Sequence, residues 1–200
     1  MPAVPSAAST PIPASRPLQL PESLSGRAAL AVSATLFVAL CAHVSVPLFF
    51  TPVPLTLQTF AVLIIGLVFG PALGASTLLL YLAEGAAGLP VFSPQGPGGI
   101  AQLLGPTGGY LLSYPLAAAA AGLTVRALSD RRKYLPAAAL AGAASTVIVF
   151  AFGTVWLACE LKVGSAMAFK TAVLPFLPGE VLKIAAAVAC YATYRRRQRV

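Results

Sequence analysis

Residues 52–110 read PVPLTLQTFAVLIIGLVFGPALGASTLLLYLAEGAAGLPVFSPQGPGGIAQLLGPTGGY. Two apolar runs meet at Gly70-Pro71, a glycine stop followed by a proline suited to open the next helix. That pair predicts two helices joined by a tight turn. Beyond them, 88–109 consists almost entirely of turn residues with a few apolar anchors. In hydrocarbon, irregular backbone persists only where protein or a water-filled cavity covers it. A Gly- and Pro-rich loop between membrane-length helices therefore predicts a lid over a cavity, or part of its lining. Gly96-Pro97-Gly98-Gly99-Ile100-Ala101 also fits the dinucleotide pattern G-x-G-x-x-A. That pattern requires a strand before it and a helix after it in a βαβ unit. Nothing around it reads as such a unit, so no nucleotide site is assigned.

The rest of the chain has the same apolar character. Of 200 residues, 58% are hydrophobic and 9% charged, where soluble domains carry about 25% charge. Several runs approach the roughly 20 residues needed to cross a bilayer. The expected class is an integral membrane protein seated in the lipid bilayer. A net charge of +8 would suit nucleic acid, but ten of the thirteen Lys and Arg cluster as Arg16 and Arg27, 126–133 and 195–199. Basic residues at the ends of apolar runs mark cytoplasmic loops, so no nucleic-acid partner is expected. Cys41, Cys159 and Cys190 fall one per apolar segment without paired spacing. They read as small apolar residues, and neither a disulfide nor a metal site follows from them.

Upstream of the central stretch, Pro2, Pro5, Pro11, Pro13, Pro17 and Pro21 forbid a continuous helix. No basic-then-apolar secretory pattern is present, so residues 1–25 are expected to form a disordered cytoplasmic tail. The run 27–46 places small residues at helical spacing: Ala29 with Ser33, and Ala31 with Thr35. Such faces let membrane helices approach closely. Packing against a neighbour in the same chain and docking to a partner subunit both fit. His43 has no ligand-type neighbour at useful spacing, so it reads as an interfacial or core residue. Pro47, Pro52 and Pro54 break the chain into a first outer loop.

Helices are expected over 27–46, 55–69, 72–87, 109–128, 136–156 and 178–194. The predicted fold is all-α, a bundle of six transmembrane helices over 26–194 with a basic tail at 195–200 and both termini cytoplasmic. The charge pattern agrees. With the N-terminal tail inside, the loop after the fourth helix and the C-terminal tail also fall inside, where the basic clusters sit. Outside are Lys162, Lys170 and Lys183, with Glu84, Glu160 and Glu180.

Few residues can carry chemistry. No P-loop, paired-Asp motif, Ser–His pairing or metal cluster occurs, so no catalytic residue, metal or cofactor is expected and the chain does not read as an enzyme. Gln58 is a rare polar group on the second helix, able to bond a neighbouring helix or face a cavity. Glu84 is the sole formal charge between Arg27 and Arg126, and an ionisable group in a membrane helix is by default a functional candidate. Its place in a last turn suits the interface equally well. Glu180 and Lys183 stand at i and i+3 at the start of the last helix. A first-turn carboxylate is favoured by the helix dipole and pairs readily with Lys. The ammonium is disfavoured at that end of a helix, however. An acceptor and a donor on one face suit a ligand with adjacent N–H and C=O groups.

Four pieces together resemble the BioY family, the biotin-specific substrate-binding (S) components of energy-coupling factor (ECF) vitamin transporters. They are PVPLTLQTFAVLIIGLVFGP at 52–71, YLAEGAAGLPVF at 81–92, GPTGGY at 105–110 and PFLPGEVLK at 175–183. With the helix pattern, the similarity covers nearly everything after residue 25. The resemblance implies a multi-pass protein of a bacterial-type inner (plasma) membrane that captures biotin on the outer face. Delivery inward would use a coupling transmembrane subunit and two cytoplasmic ATPases. The acid and lysine of the family's PGDxxK-type motif fall on Glu180 and Lys183, with Glu one methylene longer than the usual Asp. Some members add a loop Asn, which this chain lacks altogether, and Gln95 is the candidate amide in its place. Gln58, Tyr81, Glu84, Phe92, Gly98, Gly99 and Tyr110 complete the expected substrate site, and Ala29 and Ser33 the docking face. An S component for another vitamin and an intramembrane enzyme are the competing readings.

Overall fold

The computed structural model describes residues 23–128 and 133–197. The expected tail at 1–25 lies outside the described residues up to Glu22. Arg131, Arg132 and the tail residues 198–200 lie outside as well. Among the described residues, α1 spans Leu24–His43, β1 Ser45–Val46, β2 Leu55–Thr56, α2 Gln58–Ala86, α3 Gly99–Leu104, α4 Gly108–Leu128, α5 Tyr134–Leu161, α6 Ser165–Ala172 and α7 Leu177–Arg197.

The first helix starts earlier and stops earlier than expected. Ser23 caps it, its hydroxyl accepting from the Gly26 amide at 3.2 Å, a standard way to satisfy an orphan first-turn donor. It ends before Ser45 because Ser45 and Val46 pair antiparallel with Thr56 and Leu55. That ribbon pins the two feet of the proline-rich loop 47–54.

The helical run α2 folds back on itself. Gly70 adopts φ 78°, ψ −177°, and Pro71 follows; the positive φ is open to glycine at little cost. The reversal is visible in two contacts. The amide nitrogen of Gln58 donates to the Tyr81 hydroxyl at 2.8 Å, although a straight helix would hold residues so far apart in sequence about 34 Å from each other. A Cβ on Gly74 would lie 3.5 Å from the Gly66 Cα. The two halves, 58–69 and 71–86, thus cross at paired glycines, as Gly70-Pro71 foretells.

Small residues bring α4 against this hairpin. A Cβ on Gly66 would meet the Ala118 carbonyl oxygen at 2.5 Å, and one on Gly122 would meet the Pro71 nitrogen at 2.5 Å. Without a hydrophobic effect between helices inside lipid, such close backbone approach is a main source of packing energy. Two clusters fill the interior. One surrounds Val38, Ile65, Leu78, Tyr81 and Leu157, and the other Leu67, Val125, Ala138 and Tyr191.

Among the described residues the fold is helical apart from the short ribbon, as expected. Four helices, α1, α2, α4 and α5, are long and apolar enough to cross a membrane, or up to five if α6 and α7, bent by 50°, form one span. Two short helices differ from the sequence reading. α3 lies inside the expected lid loop, and α6 occupies the segment taken as an outer loop around Lys170.

Candidate functional site

A cavity opens at the end of the bundle where the β1–β2 ribbon, the 88–107 loop and the α6–α7 break meet. It encloses about 500 Å³ of space not filled by protein, its mouth included. Its polar lining comes from Gln58 and Thr59 at the start of α2, Ser93 and Gln102 of the loop region, and Glu180 and Lys183 of α7. Its aromatic walls are Tyr110 and Tyr114 of α4, Phe150 of α5 and Phe176.

The charged pair is held on three sides. The Lys183 ammonium lies 2.6 Å from Glu180 Oε1 and donates to Thr59 Oγ1 at 3.1 Å. The Thr59 hydroxyl in turn donates to the same Glu180 oxygen at 2.8 Å. Both charged residues are buried, at 5% and 8% exposure. Buried charges persist only when paired and hydrogen-bonded, and here a neighbouring helix supplies the third member. The hydrogen bonds to the Glu180 carboxylate fall on Oε1, so its second oxygen has no donor among the described residues. Lysine carries three N–H donors, of which two are used. One acceptor and one donor therefore remain, side by side, on residues that line an apolar-walled space.

Local sequence explains this placement. Pro175 and Pro178 flank the start of α7, so the chain must turn there. Glu180 lies in the helix's first turn, where its amide bonds the Phe176 carbonyl at 2.9 Å. Lys183, one turn on, stands over the same face. A Cβ on Gly179 would come within 3.2 Å of Leu55, so β2 packs directly on this turn.

Gln58 is held by protein on both its amide atoms. Besides its bond to Tyr81, its carbonyl oxygen accepts from Thr56 at 3.2 Å and from Tyr114 at 3.4 Å. Tyr81 passes the chain on to the Val91 carbonyl at 2.8 Å. Tyr81 and Phe92 stand behind the cavity wall. Their rings meet edge to face at 5.5 Å, and Phe92 fills the space where a Cβ on Gly85 would lie 2.0 Å from its ring. Tyr110 reaches the cavity and ties α4 to α6 through a 2.9 Å bond from its hydroxyl to the Ala172 carbonyl. It occupies the surface of Gly153, whose Cβ would fall 2.3 Å from the ring.

Other expected residues lie elsewhere. Gln95 accepts from the Ser45 hydroxyl at 2.6 Å and from the Ser93 hydroxyl at 2.5 Å. It fastens the 88–107 loop to the ribbon and borders a second space at the cavity mouth. Gly98 and Gly99 have positive φ, 72° and 60°, and start α3 without lining the cavity. Glu84 is half-buried and accepts from Thr35 of α1 at 3.0 Å, away from the lining residues. Ala29 and Ser33 are exposed on α1. Outside the sequence-based candidates, Thr59, Gln102, Tyr114 and Phe176 help build the site. Two had legible signals: Tyr114 is one turn after Tyr110, and Phe176 one turn before Glu180. Gln102 holds the loop rather than open space, taking the Gly98 amide at 3.1 Å and donating to the Ser93 carbonyl at 3.2 Å.

Comparison with known proteins gives a consistent picture. The model of the BioY family matches residues 15–199. A protein of Pyrococcus horikoshii described as probable biotin transporter BioY is 44% identical over 156 residues, 76% of this chain and 88% of the relative. The biotin transporter BioY of Rhodobacter capsulatus is 37% identical over 163 residues, 76% of this chain and 83% of the relative. A crystal structure at 2.1 Å, of the S-component for biotin from an ECF-type ABC transporter, shares the fold. Its TM-score is 0.77 at 22% identity, over 88% of this chain and 92% of that one.

Proposed function

The chain belongs to the BioY family, and from that premise we propose that it takes up biotin as the substrate-binding component of an ECF transporter. The observation that carries this reading is the unspent acceptor on Glu180 and the unspent donor on Lys183. A ureido group presents two N–H donors and one carbonyl acceptor at adjacent positions. Its N–H meets the free Glu180 oxygen, and its carbonyl meets the third Lys183 proton. Thr59 fixes both protein groups before the ligand arrives, so little ordering remains to oppose binding. Tyr110, Tyr114, Phe150 and Phe176 enclose the thiophane ring and valeryl chain. Gln95 and the loop it fastens close the mouth.

In this reading the halves of α2 count separately, giving six membrane segments with both termini on the cytoplasmic side. The basic residues Arg27, Arg126, Lys133 and Arg195 then face the cytoplasm, in line with the positive-inside rule. The cavity opens outward across the plasma membrane. A coupling transmembrane subunit and two ATPases power delivery, with the small face of α1 at Ala29 and Ser33 as the docking surface.

Biotin binding to purified protein in detergent tests the proposal. Wild type should bind tightly, and Glu180→Ala and Lys183→Ala should each weaken binding by about a hundredfold, as for truncating one member of a buried charged contact. Undiminished binding by both variants would sink it. Thermal stabilisation by biotin but not by thiamine or riboflavin separates this reading from that of a transporter component for another vitamin.

A further inference from the structure

We propose that the site binds neutral amides of biotin, capped at the carboxyl end of the valeryl chain, alongside biotin itself. This inference rests on the reading of the cavity as a biotin site. The cavity continues into the second space at its mouth, since Pro54, Gln102 and Thr107 line both. That space measures about 510 Å³ with its open side included. Its polar side chains are Gln95, Gln102 and Thr107, set among prolines and glycines. With the ureido ring held between Glu180 and Lys183, the valeryl chain ends here.

What meets the carboxyl end in this mouth is neutral. Gln95 takes both serine hydroxyls on its carbonyl oxygen. Its two amide N–H donors are left without a partner among the described residues. The Thr107 hydroxyl donates to the Gln102 carbonyl at 3.5 Å and keeps its acceptor capacity. A donor and an acceptor of this kind serve the C=O and N–H of an amide as well as they serve a carboxyl group. Among the described residues that line the two spaces, Lys183 is the one cation. Its ammonium is held by Glu180 and Thr59, and its third proton goes to the ureido carbonyl. The segments outside the described residues join at Ser23, Leu128, Lys133 and Arg197, at the other ends of α1, α4, α5 and α7. By helix rise those junctions are roughly 20 Å or more from the mouth. Gln95 is exposed, so a carboxylate beside it stays hydrated and gains little from charge. A substituent on the carbonyl leaves by the open side.

Calorimetric titration of the full chain in detergent with biotin, biotin methylamide, and biotin amide-linked to the side chain of lysine tests the proposal. Wild type should bind all three within about threefold of one another. A loss of more than about tenfold for the methylamide, with tight binding of biotin, would seat the carboxylate on a cation. That result overturns this inference and leaves the biotin site standing. Failure of biotin itself to bind overturns both. Gln95→Lys should shift the preference toward biotin over its methylamide by about fivefold, and Gln95→Glu should shift it the other way by a similar factor, near the worth of one exposed ion pair. The ratio is taken within each variant, so any general loosening of the loop cancels from it. An unchanged ratio in both variants would put the end of the chain away from the mouth and overturn the proposal.

Discussion

Two carboxylates in apolar helices, Glu180 and Glu84, have opposite surroundings. Glu180 opens a helix, faces a cavity, and is met by an ammonium and a hydroxyl from two elements. Glu84 is near the end of α2, half-exposed, and met among the described residues by the Thr35 hydroxyl alone. The first arrangement leaves hydrogen-bonding capacity pointed at shared empty space, and the second spends its contact on joining α2 to α1. A charge in a membrane helix is therefore informative through what surrounds it, not through its presence.

The sharpest way to break that contrast is to neutralise each acid. Glu180→Gln should reduce biotin affinity about a hundredfold, whereas Glu84→Gln should leave affinity within about threefold and lower the melting temperature slightly. Equal losses in the two variants would erase the distinction. Removing the cation comes next. Lys183→Met leaves Glu180 buried without its partner and should cost about 3 kcal/mol of stability as well as binding. Adding Glu180→Leu to it should restore much of the stability and none of the binding, as measured by denaturation and ligand titration together. Recovery of both would make the pair a structural strut.

A smaller effect is expected at the cavity wall. Gly153→Ala places a methyl group against the Tyr110 ring, and overpacking of this kind costs about 1–3 kcal/mol. Calorimetry should show weaker biotin binding with Glu180 and Lys183 untouched. The smallest change is at the mouth. Gln95→Ala removes the bond to Ser45, worth about 1 kcal/mol, so dissociation of labelled biotin should quicken by about fivefold with little change in melting temperature.

Much of the fold is legible in sequence because membrane helices announce themselves by apolar length, and Gly70-Pro71 marks the reversal directly. α6 is hidden because SAMAFKTA carries Lys170 and sits between Gly164 and Pro175, which together look like a loop. α3 is hidden among glycines. At the site, Glu180 and Lys183 stand out because charge is rare here. Thr59 does not, since a threonine in an apolar run has the same signature whether it packs or bridges charges. Its role appears only when the fold-back sets α2 beside α7. Gln95 shows the converse: its chemistry suits a ligand, and the neighbouring serine hydroxyls are what occupy its carbonyl.

Glu180 and Lys183 ride on one helix, and the 50° elbow between α6 and α7 falls just before them. Tyr110 anchors the far side of that elbow through Ala172. A tilt of α7 would carry acid and amine together, stretching both ties to Thr59 while their mutual contact survives. The site can then be dismantled without ever separating opposite charges in oil, since what moves is a neutral dipole and not two bare ions.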